Sequence, residues 1–327
     1  MLPNKTKLIA VIGPTASGKT ALAVKLAKRF NGEIISADSR QIYKYLDIGT
    51  DKINGSWQLY AGKRTYIAKG IPHHLIDAWS PKKTVTVAEW KRAAEAAIET
   101  ITGRGHLPII AGGTGLYVRA LLNDFAFPAV APNNALRARL EKQLARDGLE
   151  LFAKKILARD PAATAFLDIK NPRRLIRALE VMEITGRPFS ELRTRARHSP
   201  WDSITIGLMP LKTRIDTSMQ KRLRKQFSLG LEKEARALFG RYGANAPALA
   251  TIGYSEWRPF LFHKKLSSRQ KNTVFENIFL DTRRYSKRQM TWFRKDKNII
   301  WIDAVGTPAA SKKALRLVKD FLYKKSA

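Results

Sequence analysis

Cysteine is absent from all 327 residues. That removes a disulfide framework, a thiolate zinc site, an iron–sulfur cluster and a cysteine nucleophile from consideration. Acidic residues are scarce: 27 Asp and Glu stand against 60 Lys and Arg, a formal charge of +33. Long apolar runs are missing as well. The longest near the start, residues 8–12, falls far short of the roughly 20 residues of a membrane span, and no signal-peptide cleavage pattern accompanies it. What remains is ample core material, since 44% of residues are hydrophobic and 9% aromatic. One large or two medium domains are expected, and wholesale disorder, collagen-like and mucin-like classes are excluded. A soluble, cytoplasmic protein without membrane association is the expectation. The surplus positive charge runs through the whole chain and predicts a broad surface for a polyanion. Charge alone leaves nucleic acid, ribosome and anionic lipid open, beside a merely basic proteome.

Residues 7–12 form a β-rich run that stops at Gly13, and residues 20–30 carry apolar side chains at helical spacing. A second short strand at 33–36 follows at once, which makes a βαβ unit and a parallel sheet. Further strands are predicted at 107–111, 204–209 and 299–302, and helices at 86–102, 134–158, 172–185, 215–242 and 267–293. The expected fold is α/β, a P-loop NTPase-like parallel sheet flanked by helices and interrupted by helical insertions. Residues 1–125, 199–212 and 296–327 are assigned to the core, and 126–198 and 213–295 to mainly helical segments. Pro-marked turns at Phe127-Pro128, Ala131-Pro132, Ser199-Pro200 and Ala246-Pro247 are the plausible seams.

The strongest local signal is Gly13-Pro14-Thr15-Ala16-Ser17-Gly18-Lys19-Thr20, a full G-x-x-x-x-G-K-[ST] match between a strand and a helix. Its glycines let backbone N–H groups curl around a diphosphate, Lys19 reaches the terminal phosphate, and the Thr20 hydroxyl is a ligand for Mg²⁺. No N-K-x-D segment reads guanine, and no apolar strand ends in Asp-Glu, which demotes GTPases and motor ATPases. A transferase of a diphosphate ester with a second, polyanionic substrate fits. A P-loop nucleoside or RNA kinase would use the same loop for ATP, and a non-enzymatic RNA chaperone would need neither Lys19 nor Asp38. Asp38 directly follows the second strand, where the sheet's carboxyl edge opens beside the loop. That is the place of a general base, and equally that of a turn-forming Asp. His73 and His74 are neighbours in an extended segment and so face opposite ways, which favours a structural or RNA-adjacent role over metal binding.

Several further segments occur in fixed order: Asp38 to Tyr43 as DSRQIY, Asp47-Ile48-Gly49-Thr50, His73-His74-Leu75-Ile76-Asp77, Gly112-Gly113-Thr114-Gly115-Leu116-Tyr117, Arg173 to Glu180 as RRLIRALE, Ile252-Gly253-Tyr254, and Lys287 to Arg294 as KRQMTWFR. Together with the phosphate loop, this set resembles the bacterial tRNA dimethylallyltransferases, the IPP transferase family, from residue 8 to about residue 303. The resemblance implies transfer of a dimethylallyl group from dimethylallyl diphosphate to N6 of the adenosine directly 3′ of the anticodon (position 37), with Mg²⁺ and release of diphosphate. It implies that Gly13, Pro14, Thr15, Ala16, Ser17, Gly18, Lys19 and Thr20 hold the donor's diphosphate, Thr20 also the metal. Asp38 is then the base, with Lys19 and Thr114 beside it in the catalytic set. The tRNA contacts it implies are Asp38, Ser39, Arg40 and Gln41; Thr114; Arg137; Arg173, Arg174, Leu175, Ile176 and Arg177; Ala250, Thr251, Ile252, Gly253, Tyr254 and Ser255; and Lys287, Arg288, Gln289, Met290, Thr291, Trp292, Phe293 and Arg294. The partner is the anticodon stem-loop of tRNA, which the helical segments would face, and a monomer is expected.

Two departures stand out. The stretch 51–71 is longer than the family pattern and has no role by resemblance. The helix ahead of Gly230 reads as short, so no donor contact is carried onto Arg214 or Arg222. The family's eukaryotic members add a C-terminal zinc finger, for which this chain has no cysteine. An adenine amine is a poor nucleophile with its lone pair delocalised, so a carboxylate that takes its proton helps, and a stacked adenosine must be flipped out to reach one. The basic, aromatic segment 283–294 suits such an RNA, though at least one of Tyr285, Trp292 and Phe293 is expected in the core.

Overall fold

A computed structural model describes residues 5–123, 130–192, 199–210, 212–303 and 308–323. In chain order the elements are β1 (Thr6–Ile12), α1 (Lys19–Arg29), β2 (Gly32–Ser36), β3 (Ser56–Tyr60), β4 (Lys63–Ala68), β5 (Ile71–His74), α2 (Val87–Gly103), β6 (Leu107–Gly112) and α3 (Gly115–Leu122). They continue with α4 (Asn134–Arg159), α5 (Pro172–Thr185), β7 (Trp201–Met209), α6 (Lys212–Ser228), α7 (Leu231–Tyr242), α8 (Ser268–Phe293), β8 (Ile299–Asp303) and α9 (Pro308–Tyr323). The chain divides into two compact units, one of residues 1–122 and 200–327, the other of residues 123–199.

The larger unit is built on a sheet of order β3-β4-β5-β2-β6-β1-β7-β8. From β5 to β8 every pairing is parallel, and the strands are rich in Ile and Val because helices cover both faces. Alternation along β1 sends Leu8, Ala10 and Ile12 into a core with Ile35, Trp90 and Tyr117. Ile9 and Val11 go to the opposite core, with Leu26 of α1 and Val318 of α9. The α/β expectation holds, and all five predicted strands are parallel neighbours in this sheet.

Beyond β5 the sheet gains an antiparallel edge. The stretch 51–71 contains β3 and β4, an antiparallel hairpin that pairs antiparallel with β5. Its two-residue turn has both Ala61 (φ 48) and Gly62 (φ 77) left-handed, the geometry that matches strand twist in tight hairpins. Ala in place of Asn or Asp hid that turn, and β3 is nearly all exposed, so no alternation marked it. The single helix predicted at 215–242 is in fact two, because Gly230 sits at φ 94 between α6 and α7. Residues 213–295, expected as a helical tRNA-facing segment, lie in the sheet-bearing unit.

The smaller unit packs α4 and α5 around Leu140, Phe152, Ile156, Leu175 and Leu179. Asn133 and Asn171 cap the two helices by accepting the N–H groups of Leu136 and Arg174, which satisfies amides otherwise left unpaired. The helix predicted at 134–158 is broken at Gly148 (φ 76, ψ 165).

Candidate active site

The carboxyl edge of the parallel sheet brings three loops side by side, those after β1, β2 and β6. Ala37 N–H donates to Ala111 O at 2.9 Å, and Thr114 N–H donates to Ala37 O at 3.1 Å. Gly112 is required at this seam, since a Cβ there would lie 2.2 Å from Ala37 O.

The loop after β1 is the phosphate-loop sequence. It turns through left-handed Ala16 (φ 64) and Gly18 (φ 83). Gly18 is the N-cap of α1 and brings no side-chain cap, so the first amides of the helix stay available to an anion. The Ser17 hydroxyl is buried without a partner. Lys19 Nζ donates to Pro14 O at 2.6 Å. Burial pushes the Lys19 ammonium down to about 8; the Asp38 carboxylate opposes this, while the Arg222 guanidinium adds to it.

Asp38 is half-buried. Its Oδ1 accepts the N–H groups of Arg40 (2.9 Å) and Gln41 (3.3 Å), the side-chain turn that Asp favours after a strand. Both bonds fall on one oxygen, so the turn role and the base role are compatible, with Oδ2 the oxygen left to take a proton. The Thr114 hydroxyl accepts Ser39 N–H at 2.9 Å. Tyr285 lies near both: burial and then the Asp38 carboxylate push its phenol up, while the Arg40 guanidinium and a hydrogen bond to Thr114 pull the other way.

A cavity of about 320 Å³ opens here, lined by polar Thr15, Asp38, Arg40, Arg222 and Arg288 and by apolar Met219, Leu223, Ile278 and Phe279. Gly49, Thr50 and residues Ala250, Thr251, Ile252 and Gly253 complete it with Gln226, Thr282 and Tyr285. Its size suits one small ligand. The Asp47–Thr50 loop is held from afar. Glu234 accepts the N–H groups of Asp47, Ile48 and Gly49 and the Tyr254 hydroxyl (2.6 Å), and Gln226 Nε2 donates to Ile48 O at 2.7 Å. Any side chain at Gly49 would strike the Tyr254 ring, 2.5 Å from its Cβ position. Beside this loop, buried Lys52 pairs with Asp47 at 2.5 Å and with Asp77, which explains the Asp of the His-His-Leu-Ile-Asp segment.

Of the residues expected at a site, Thr15, Asp38, Arg40, Ala250, Thr251, Ile252, Gly253 and Arg288 meet at one cavity. Others do different work. Gln41 donates to Thr50 O at 3.2 Å. The Leu175, Ile176, Tyr254 and Phe293 side chains, expected at RNA, are buried in the two cores. Arg137 and Arg177 are both fastened to Glu180, at 2.9 and 2.6 Å. Arg173, Arg174, Lys287, Thr291 and Arg294 are exposed. Gln289 is buried between two loops, donating to Gly113 O at 2.8 Å. His74 Nε2 meets Glu33 at 2.6 Å, and His73 Nδ1 lies 2.8 Å from Ile71 O.

Sequence reasoning left Arg222 out, on the ground that its helix was short. In the structure α6 runs for 17 residues, and Arg222 lines the cavity and lies 3.4 Å from Asp51. Met219, Leu223 and Gln226 at helical spacing were the available signal. Tyr285 lies in the basic, aromatic segment 283–294, whereas Glu234 gives no local signal.

A family model described as IPP transferase matches residues 41–296. The tRNA dimethylallyltransferase of Levilactobacillus brevis is 39% identical over 322 residues, covering 98% of this chain and 99% of that protein. The tRNA dimethylallyltransferase of Thermomicrobium roseum is 39% identical over 302 residues, 92% of this chain and 87% of that one. Among solved structures, the full-length tRNA isopentenylpyrophosphate transferase of Bacillus halodurans superposes with a TM-score of 0.68 at 35% identity over 98% of each chain. A eukaryotic dimethylallyltransferase acting on tRNA shares the fold, with a TM-score of 0.79 at 24% identity over 98% of this chain and 80% of that one.

Proposed function

The chain belongs to the IPP transferase family, and on that premise we infer that it is a tRNA dimethylallyltransferase. It moves the five-carbon group of dimethylallyl diphosphate to N6 of the adenosine directly 3′ of the anticodon. The observation that carries this reading is the cavity itself, lined by Thr15 of the phosphate loop, by the Asp38 carboxylate and by apolar Met219, Leu223, Ile278 and Phe279. A prenyl diphosphate needs all three. A kinase has no use for an aliphatic wall beside its phosphates, and the relatives are prenyl transferases.

In this reading the free amides at the start of α1, the Lys19 ammonium and the Arg222 guanidinium hold the diphosphate. The N6–C1 bond forms as the C1–O bond breaks, the amine proton passes to Asp38 Oδ2, and diphosphate leaves with the electron pair. Charge builds on the bridging oxygen, where loop amides and Lys19 stabilise it without reorganisation. Tyr285 and Thr114 face the acceptor adenosine, which has to leave its stack to arrive there. The exposed cations of α8, Arg283, Arg284, Lys287 and Arg288, supply contacts for RNA phosphates.

Among the described residues no three His, Asp or Glu cluster as a metal cage. The donor set fits a hard cation that keeps water and phosphate oxygens as most of its ligands, since Thr20 is exposed in the first turn of α1. Mg²⁺ held there by Thr20 and the diphosphate would neutralise the leaving group. No helix among the described residues is long and apolar enough to cross a membrane; its tRNA substrate would be met in the cytoplasm.

The test is donor choice. Unmodified tRNA is incubated with the protein, Mg²⁺ and either radiolabelled dimethylallyl diphosphate or γ-labelled ATP. Label entering tRNA from the prenyl donor is expected; label entering only from ATP would replace this reading with a kinase.

A further inference from the structure

We propose that Gln289 is a positioning residue, a carboxamide strut that joins the phosphate loop to the glycine loop after β6 and sets the spacing between donor and acceptor. It rests on the reading above, in which residues 13–20 hold the donor and Asp38 with Thr114 faces the acceptor. Gln289 lies on α8 and is 6% exposed. Its Oε1 accepts Thr15 N–H at 2.9 Å and lies 3.4 Å from the Thr15 hydroxyl. Its Nε2 donates to Gly113 O at 2.8 Å. One side chain thus ties together two loops that are about a hundred residues apart in sequence.

The seat for this strut is cut into the glycine loop. A Cβ at Gly113 would lie 2.3 Å from Gln289 Nε2, and a Cβ at Gly115 would lie 2.1 Å from the Trp292 ring. Gln289 and Trp292 are one helical turn apart, so the last turns of α8 rest on the loop at two points where only glycine fits. The loop then continues the chain of contacts: Thr114 N–H donates to Ala37 O and the Thr114 hydroxyl receives Ser39 N–H, next to the Asp38 turn. Thr15, Gln289, Gly113, Thr114 and Ser39 form an unbroken line of hydrogen bonds and covalent links from the diphosphate side to the carboxylate.

A carboxamide suits this place because it offers an acceptor on one atom and donors on the other. Glu keeps the acceptor but loses the donor and sets a carboxylate against Gly113 O. Met fills a similar volume and does neither. Because Gln289 is buried, the RNA contact expected at this position gives way to the strut. Transfer needs the reacting atoms held at about 3–3.5 Å and in line, and a misplacement near 1 Å costs about 10²-fold.

The experiment uses full-length protein and unmodified tRNA, comparing the unaltered chain with Gln289→Met and Gln289→Glu. Single-turnover rates are read with both substrates saturating, affinities for tRNA and dimethylallyl diphosphate are read separately, and thermal melts check the fold. The strut predicts rates lower by about 10- to 100-fold with both affinities within about threefold. Unchanged rates would overturn it, and so would a loss confined to tRNA affinity, which marks a direct RNA contact. Gly113→Ala, which crowds Nε2 from the other side, is the second arm and covers a failure of either Gln289 variant to fold. Its rate loss should be of the same size and should not add to that of Gln289→Met; additive losses would refute the shared strut. No transfer by the unaltered chain would bring down the functional reading and the strut with it, whereas full-speed transfer by Gln289→Met would bring down the strut alone.

Discussion

Replacing Asp38 by Asn separates the two jobs its carboxylate does. Oδ1 accepts Arg40 N–H and Gln41 N–H at 2.9 and 3.3 Å, and an Asn carbonyl oxygen can accept both, so the turn after β2 persists. What disappears is the proton acceptor at Oδ2. Positioned general bases contribute about 10²- to 10⁴-fold, which at 1.36 kcal/mol per decade is about 2.7–5.4 kcal/mol of barrier. Asp38→Ala also removes the two turn hydrogen bonds, worth about 0.5–1.5 kcal/mol each, and so should melt earlier than Asp38→Asn. A second consequence runs through Lys19, whose charged form the Asp38 carboxylate favours. Donor affinity in Asp38→Asn should therefore weaken at alkaline pH more than at neutral pH. The assay is single-turnover transfer with both substrates saturating, beside filter binding of tRNA. A loss of about 10²-fold or more in rate with tRNA still bound is expected. A rate near that of the unaltered chain, or a defect residing wholly in tRNA affinity, would refute the assignment of Asp38 as base.

Lys19→Met should cost about 10²- to 10³-fold in rate while tRNA still binds, and equal loss of tRNA binding would show that the loop faces RNA. Glu33 is buried on β2, and burial alone would raise its carboxyl; hydrogen bonds from His74, Arg104 and His106 outweigh that and hold it at about 2. Because the folded value lies below the ordinary one, this stabilisation is present above pH 4.5 and is lost as pH falls through about 2. Urea titrations should show Glu33→Gln less stable by about 1–3 kcal/mol at pH 6 and the gap closing near pH 2; a gap that widens on acidification contradicts the sign. Glu234→Gln should loosen the Asp47–Thr50 loop, since an amide accepts on one atom only, raising the KM for dimethylallyl diphosphate with little change in melting temperature. Affinity for tRNA should fall by orders of magnitude between about 50 and 200 mM salt, and a flat response would assign the +33 charge to another partner.

Much of the architecture could be read locally. The phosphate loop, the strand before it and the helix after it declare themselves within residues 7–30, because strand, turn and helix signals there are contiguous. Asp38 was legible as a candidate for the same reason, being set one turn beyond a short buried strand. The hairpin was not, since β3 is exposed and its turn uses Ala61-Gly62. The supports of the site were invisible because they come from far along the chain. Glu234 reaches a loop 185 residues away, and Gln289 reaches Thr15 across 274 residues. Periodicity says that such residues lie on a helix, but not what their polar ends will meet.

Nucleoside mass analysis of tRNA after reaction is the most direct measurement. With dimethylallyl diphosphate as sole donor, the adenosine next to the anticodon should gain one C5H8 unit and one equivalent of diphosphate should be released. Unmodified adenosine, or a phosphate found on the RNA only when ATP is supplied, would contradict the account.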